Sequence, residues 1–236
     1  MAVDDSEPIQ WRRDAATSRT VRILWSLGVG TFFAAALIIV FWRLFDMTGQ
    51  TGGQSIIVAG LAALVVTILA FAFGSNTEQR VARVSERLPV SAPTGTSLER
   101  ALDAALGMLV MAGAIAALMA TGRYVSQNEL LELGAGPFTL LAALTIPLAL
   151  VAIALSSFLR SVGTLDHEER VIYLHDPDQA IELELIEDTS IRRLGDAAIL
   201  SLEYAQPDGQ YVQGPRRIVV PPAVAREVQE LVNADN

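Results

Sequence analysis

Residues 23–42, ILWSLGVGTFFAAALIIVFW, carry no charge, and they are bounded by Arg22 and Arg43. At about 1.5 Å per residue a helix of this length is about 30 Å long, the thickness of the hydrocarbon core of a bilayer. The flanks fit that use. Trp25 and Trp42 fall where interfacial aromatics belong, and the two arginines can extend toward headgroups. A cleaved signal peptide fits worse, because the apolar run is too long and four acids precede it among the first twenty residues.

Three more windows have the same character. Residues 56–73 are interrupted only by Gly60 and Thr67, and residues 104–122 and 137–159 are each bounded by charge, at Asp103 and Arg123 and at Glu132 and Arg160. The sequence therefore predicts an α-helical bundle of four transmembrane helices over residues 21–45, 55–74, 97–121 and 137–160. Arginine sets the orientation. Arg12, Arg13, Arg19 and Arg22 precede the first window, and Arg80, Arg83, Arg87 and Arg100 separate the second from the third. The opposite connections hold only Arg43 and Arg123. Basic residues accumulate on the cytoplasmic side, so both termini are expected in the cytoplasm of a multi-pass cell-membrane protein, with residues 1–20 as a cytoplasmic segment.

The connections carry further signals. A helix over residues 76–88, opened by Ser75 with Glu78 and closed by Pro89, places Arg80, Arg83 and Arg87 on one face, a pattern suited either to the anionic inner leaflet or to a solvated extension of the second span. Thr96 with Glu99 reads as a capping box for the third span, and Ser126 with Glu129 as one for a short outer helix ending at Gly134.

Within the four windows there is no Asp, Glu, His, Arg or Lys, which disfavours a proton relay or charged ion path. Small residues instead recur at helical spacing: Gly30 with Ala34, Ala59 with Ala63, and Ala112 with Ala116. Such pairs allow close helix packing, within the bundle or between copies. Pro147 should kink the fourth helix, and Met108, Met111 and Met119 read as packing residues.

Composition divides at Arg160. Residues 1–160 hold 11 acids and 11 arginines, whereas residues 161–236 hold 15 acids and 6 arginines, so the net charge of −9 belongs to the last third. There is no cysteine, which excludes disulfides and thiolate chemistry, and there is no lysine: all 17 basic residues are arginine.

From Arg170 the pattern alternates with period two. RVIYLH, then AIELELIEDTSIRRL to a Gly195-Asp196 turn, AAILSLEYA to a hairpin at Pro207–Gly209, and YVQGPRRIVV up to Pro221-Pro222 read as strands. AVAREVQELV follows as a helix with Val224, Val228, Leu231 and Val232 on one face. The expectation for residues 161–236 is a small α+β domain, an antiparallel meander of four or five strands closed by a C-terminal helix. This order of elements, over about 70 residues carried by RVIYL, AIELELIEDTSIRRL and RRIVVPPAVAREVQELV, resembles the bacterial and archaeal PH-like domains attached to polytopic membrane proteins of unknown function. A full PH fold has seven strands, and the resemblance implies no particular binding residues. The acidic, lysine-free composition also resembles proteins of salt-accumulating halophilic archaea, in which screening at molar salt removes self-repulsion.

Candidate chemistry is sparse. His167 with Glu168 and Glu169, and His175 with Asp176 and Asp178, have metal-ligand residue types but fall at turns without a full ligand set. No histidine lies in a nucleophile motif, and acids outnumber arginines too heavily around Arg192-Arg193 and Arg216-Arg217 for nucleic-acid binding. No catalytic, metal or cofactor residues are expected. The sequence points to a non-enzymatic membrane protein presenting an acidic cytoplasmic domain as an assembly, scaffold or regulatory module. Its partners would be the lipid bilayer and either another membrane protein or a second copy. The alternative is a transporter or channel for a small or apolar solute.

Overall fold

The computed structural model describes residues 7–49, 51–75, 77–85, 94–205 and 212–234. The chain forms two compact units, Ile23–Ala154 and a second made of Met1–Arg22 together with Leu155–Asn236.

The first unit is helical. Helices α1 (Arg19–Thr48), α2 (Gln54–Ala72), α4 (Thr96–Gln127) and α5 (Gly136–Phe158) are each long and apolar enough to cross a membrane, while the short α3 (Thr77–Ser85) lies between the second and third of them. Their packing rests on glycines. A Cβ at Gly30 would run into the backbone of Gly107 and Met108, and one at Gly107 into the Ser26 carbonyl, so α1 and α4 touch backbone to backbone. At Gly28 a Cβ would lie 2.7 Å from the Ile153 side chain, and at Gly122 one would lie 2.9 Å from Phe138, which brings α5 against α1 and α4. Large apolar side chains face outward around this unit, Phe33, Val66, Leu140 and Leu148 among them. That inversion of the soluble pattern suits lipid surroundings. Pro147 lies inside α5, and the nearby Thr145 hydroxyl donates to the Ala142 carbonyl at 2.7 Å.

Two capping expectations differ from the structure. Helix α4 begins at Thr96 itself, with Gly95 as its N-cap at a positive φ of 55° and no side-chain cap bond. Thr96 is thus the first helical residue and cannot act as the cap. At the other end α4 continues to Gln127 and closes on Asn128, whose amide donates to the Tyr124 carbonyl at 2.8 Å, so residues 128–135 form turns in place of a separate helix. The hairpin expected at Pro207–Gly209 lies outside the described residues.

Among the described residues the second unit has seven strands. One sheet has the order β1 (Ile9–Arg13), β2 (Ser161–Asp166), β3 (Val171–His175) and β4 (Asp178–Glu182); the other has β5 (Ile186–Leu194), β6 (Ala197–Tyr204) and β7 (Arg217–Val220), and every pairing is antiparallel. Helix α6 (Pro222–Asn233) closes the unit and buries Val224, Ala225, Val228 and Val232. The meander expected from sequence is therefore two strands short at its start. β2 precedes the alternation that begins at Arg170, and β1 comes from the segment ahead of α1. The run AIELELIEDTSIRRL also divides: a 3-10 turn at Leu183–Leu185 carries the chain from one sheet to the other, and a bulge between Ile186 and Asp188 follows it. Inward residues Trp11, Leu165, Ile172, Leu200 and Val220 share one core with α6.

Candidate functional site at the strand and helix junction

β1 alternates inside to outside, and its two buried side chains, Trp11 and Arg13, do different work. Trp11 is buried, its indole N–H donates to the Ser161 hydroxyl at 3.2 Å, and its ring lies over Gly163 on β2, where a Cβ would be 2.5 Å from the ring and 2.6 Å from the Tyr173 carbonyl. Only glycine leaves that space. Burying an indole removes roughly 200 Å² of surface from water, an upper bound of about 5 kcal/mol.

Arg13, two residues on, reaches a group of chain ends. Its Nε donates to the Leu159 carbonyl at 3.1 Å, just past the end of α5, and its terminal nitrogens donate to the Asp196 carbonyl and, at 2.8 Å, to the Asp196 carboxylate in the β5–β6 turn. A helix C-terminus leaves carbonyls without partners and favours a cation, so the Leu159 contact satisfies an orphan acceptor. Asp196 is shared. The Ser18 hydroxyl donates to its second oxygen at 2.8 Å, while the same Ser18 oxygen accepts the Val21 N–H at 3.3 Å and caps the first turn of α1. Burial alone would raise the Asp196 pKa. The hydrogen bond from Arg13, those from Thr20 and Ser18, and the Arg13 charge outweigh it and hold the carboxyl well below the ordinary range.

Between β1 and α1 the turn is tied locally. Asp14 accepts the N–H groups of Ala16 at 2.8 Å and Thr17 at 3.2 Å, and Arg12 donates to its other oxygen at 2.8 Å. Burial opposes ionisation of Asp14, but these bonds and the Arg12 charge leave its pKa lowered. Arg13 thus links the start of α1, the end of α5 and a sheet turn in one hydrogen-bonded cluster. The arrangement offers mechanical coupling between helix ends and the β unit. It holds neither a nucleophile with its base nor a metal-ligand set.

Comparison of the chain with family models, curated proteins and solved structures gives no match. The remaining sites must be weighed on geometry alone. Among the described residues no three His, Asp or Glu side chains converge as metal ligands. His167 instead lies 3.4 Å from Glu227 on α6, His175 lies 3.3 Å from the Thr164 hydroxyl, and Glu169 accepts the Tyr173 hydroxyl. A cleft of about 390 Å³ beside the end of α5 is lined by Arg160, Arg217 and Asp176, a mixed set that favours no single sign of charge.

The residues expected to mediate helix packing are distributed unevenly. Ala34 is fully buried and Gly30 meets Gly107, Ala112 is half-buried, and Ala59, Ala63 and Ala116 are exposed on the helical unit. Helix α2 buries no residue. Arg80 and Arg83 are exposed on α3, and Arg87 lies outside the described residues. Gly30 carried a sequence signal for packing, but its partner Gly107, the contacts at Gly28 and Gly122, and the Arg13 cluster carried none that was read. Ser18, just before a helical run, was a usable capping signal, but Arg13 and Asp196 are 183 positions apart and share no local pattern.

Proposed function

We propose that the protein is a multi-pass cell-membrane protein, with both termini in the cytoplasm, in which four spanning helices anchor a PH-like domain that serves as an assembly or regulatory module. The observation that carries this is the β1–β2 pairing, Ile9 opposite Leu165 through Arg13 opposite Ser161. The strand before the first spanning helix and the strand after the last belong to one sheet, so both chain ends lie on one side of the bilayer, as an even number of spans requires. The arginine distribution favours the cytoplasm for that side. Among the described residues, seven strands in two sheets with a closing helix are in keeping with the PH-like reading, and Arg80 and Arg83 on α3 suit the anionic inner leaflet. In the sequence the helical unit lies between β1 and β2 of this domain, so a partner of the domain would sense or set the positions of the ends of α1 and α5 through the Arg13 cluster.

Photo-crosslinking residues placed at the exposed positions Arg192 and Glu203, with irradiation of intact membranes, test the module reading. A discrete adduct with a second protein or a second copy is expected at one position or both. Absence of adducts at both, in membranes where the protein is abundant, removes the assembly role.

A further inference from the structure

Helices α1 and α4 meet at Gly30 and Gly107 and run on in the same direction. Beyond that crossing they leave a groove of about 680 Å³, lined by Ile38, Ile39, Ala116, Met119 and Ala120 and closed at its far end by Trp42, Arg43 and Arg123. Arg43 is thirteen residues beyond Gly30, about 20 Å along the helix, while Ile38 is about 12 Å along it. The groove therefore has an apolar body at acyl-chain depth and a cationic mouth at headgroup depth.

The two arginines decide the class of ligand. In the connections that follow α1 and α4 the sequence has no other basic residue, so the entire positive charge of that end of the bundle lines one groove. Among the described residues neither Arg43 nor Arg123 forms an ion pair, although Asp46 follows Arg43 by one turn. Guanidinium groups match phosphate oxygens in forked geometry, and the volume falls in the roughly 300–1,000 Å³ range of ligand sites. Both side chains are exposed and free to turn toward a headgroup.

We propose that this groove binds one anionic phospholipid, its phosphate-bearing headgroup between Arg43 and Arg123 and one acyl chain along Ile38, Ile39, Ala116, Met119 and Ala120. A zwitterionic lipid fills the same apolar body but brings a cation to the arginines, so selection is by headgroup charge. The inference rests on the membrane reading above and deepens it with a ligand class.

The full-length protein, purified in mild detergent and stripped of lipid, is to be titrated with phosphatidylglycerol and with phosphatidylcholine and read by native mass spectrometry. Preferential retention of phosphatidylglycerol is expected, weakened about fivefold by Arg43→Gln or Arg123→Gln and about twenty-five-fold by the pair. Ala120→Phe, which occupies the groove and spares the charges, should reduce retention of both lipids. Equal retention of the two lipids, or unchanged selectivity in a double variant with an unaltered thermal melt, overturns the site. Displacement of phosphatidylglycerol by inorganic phosphate alone, or a change in subunit number in place of lipid loss, does the same. Recovery of the protein outside alkali-washed membranes would overturn the membrane reading and this inference together, whereas lost selectivity with membrane insertion intact overturns the inference alone.

Discussion

At the scale of single residues, Arg13 and Asp196 make unequal partners. The Arg13 side chain is 5% exposed and the Asp196 side chain 41%, so removing the arginine empties a buried site and leaves the Leu159 carbonyl unsatisfied, whereas removing the carboxylate loses a pairing already screened by water. Arg13→Ala is expected to cost about 2–4 kcal/mol and Asp196→Asn about 1 kcal/mol at pH 7. The pH dependence has a definite sign. Asp196 has a folded pKa below the ordinary value of about 3.9, so its contribution is complete above about pH 5, where both folded and unfolded chains are ionised. On acidification the unfolded chain takes up the proton first, and the contribution shrinks from about pH 5 downward until it vanishes below the folded pKa. Thermal melts followed by circular dichroism should therefore show Asp196→Asn falling less than the parent between pH 6 and pH 3. Parallel decline of the two would assign the acid sensitivity elsewhere, Asp14 being the next group with a lowered pKa.

At the scale of elements, β1 is decisive and was the least visible. Its five residues, IQWRR, are too short and too charged to announce a strand, and its partner β2, SVGTLD, is held by Gly163 where a strand former would be expected. A double-cysteine chain gives a direct check, because the parent has no cysteine. Gln10→Cys with Thr164→Cys places the pair on directly opposed positions and should oxidise to a disulfide; Gln10→Cys with Tyr173→Cys, two strands apart at about 10 Å, should not. Oxidation of the second pair and not the first would dismantle the sheet order. What sequence could supply was periodicity: the four long apolar helices, the alternation in β3, β5 and β6, and the valine face of α6 all follow from spacing within about 20 residues. The rest depends on contacts between distant segments. The spacing of Gly30 and Ala34 marks a packing face without naming Gly107 as its partner, Trp11 over Gly163 has no local signature, and the 3-10 turn at Leu183–Leu185 interrupts what alternation alone presents as one long strand.

At the scale of the whole molecule, the β1–β2 pairing requires that, with the four long helices in a membrane, the segments before α1 and after α5 share one side, whatever the arginine count. Single cysteines at Gly52 and Gly134, in the turns after α1 and α4, and at Gly95 and Asp178 should divide into two classes toward a membrane-impermeant thiol reagent applied to intact cells. The first two are expected to react and the last two to be protected until the cells are opened; the reverse pattern would invert the orientation while leaving the fold intact. The same pairing also imposes an order in time. During synthesis Trp11 and Arg13 leave the ribosome almost 150 residues before Ser161, and at roughly 5–20 residues per second they wait on the order of ten seconds or more for β2. All four long apolar helices have been made in that interval, so closure of the β1–β2 ladder is an event that only a chain already carrying those four can reach.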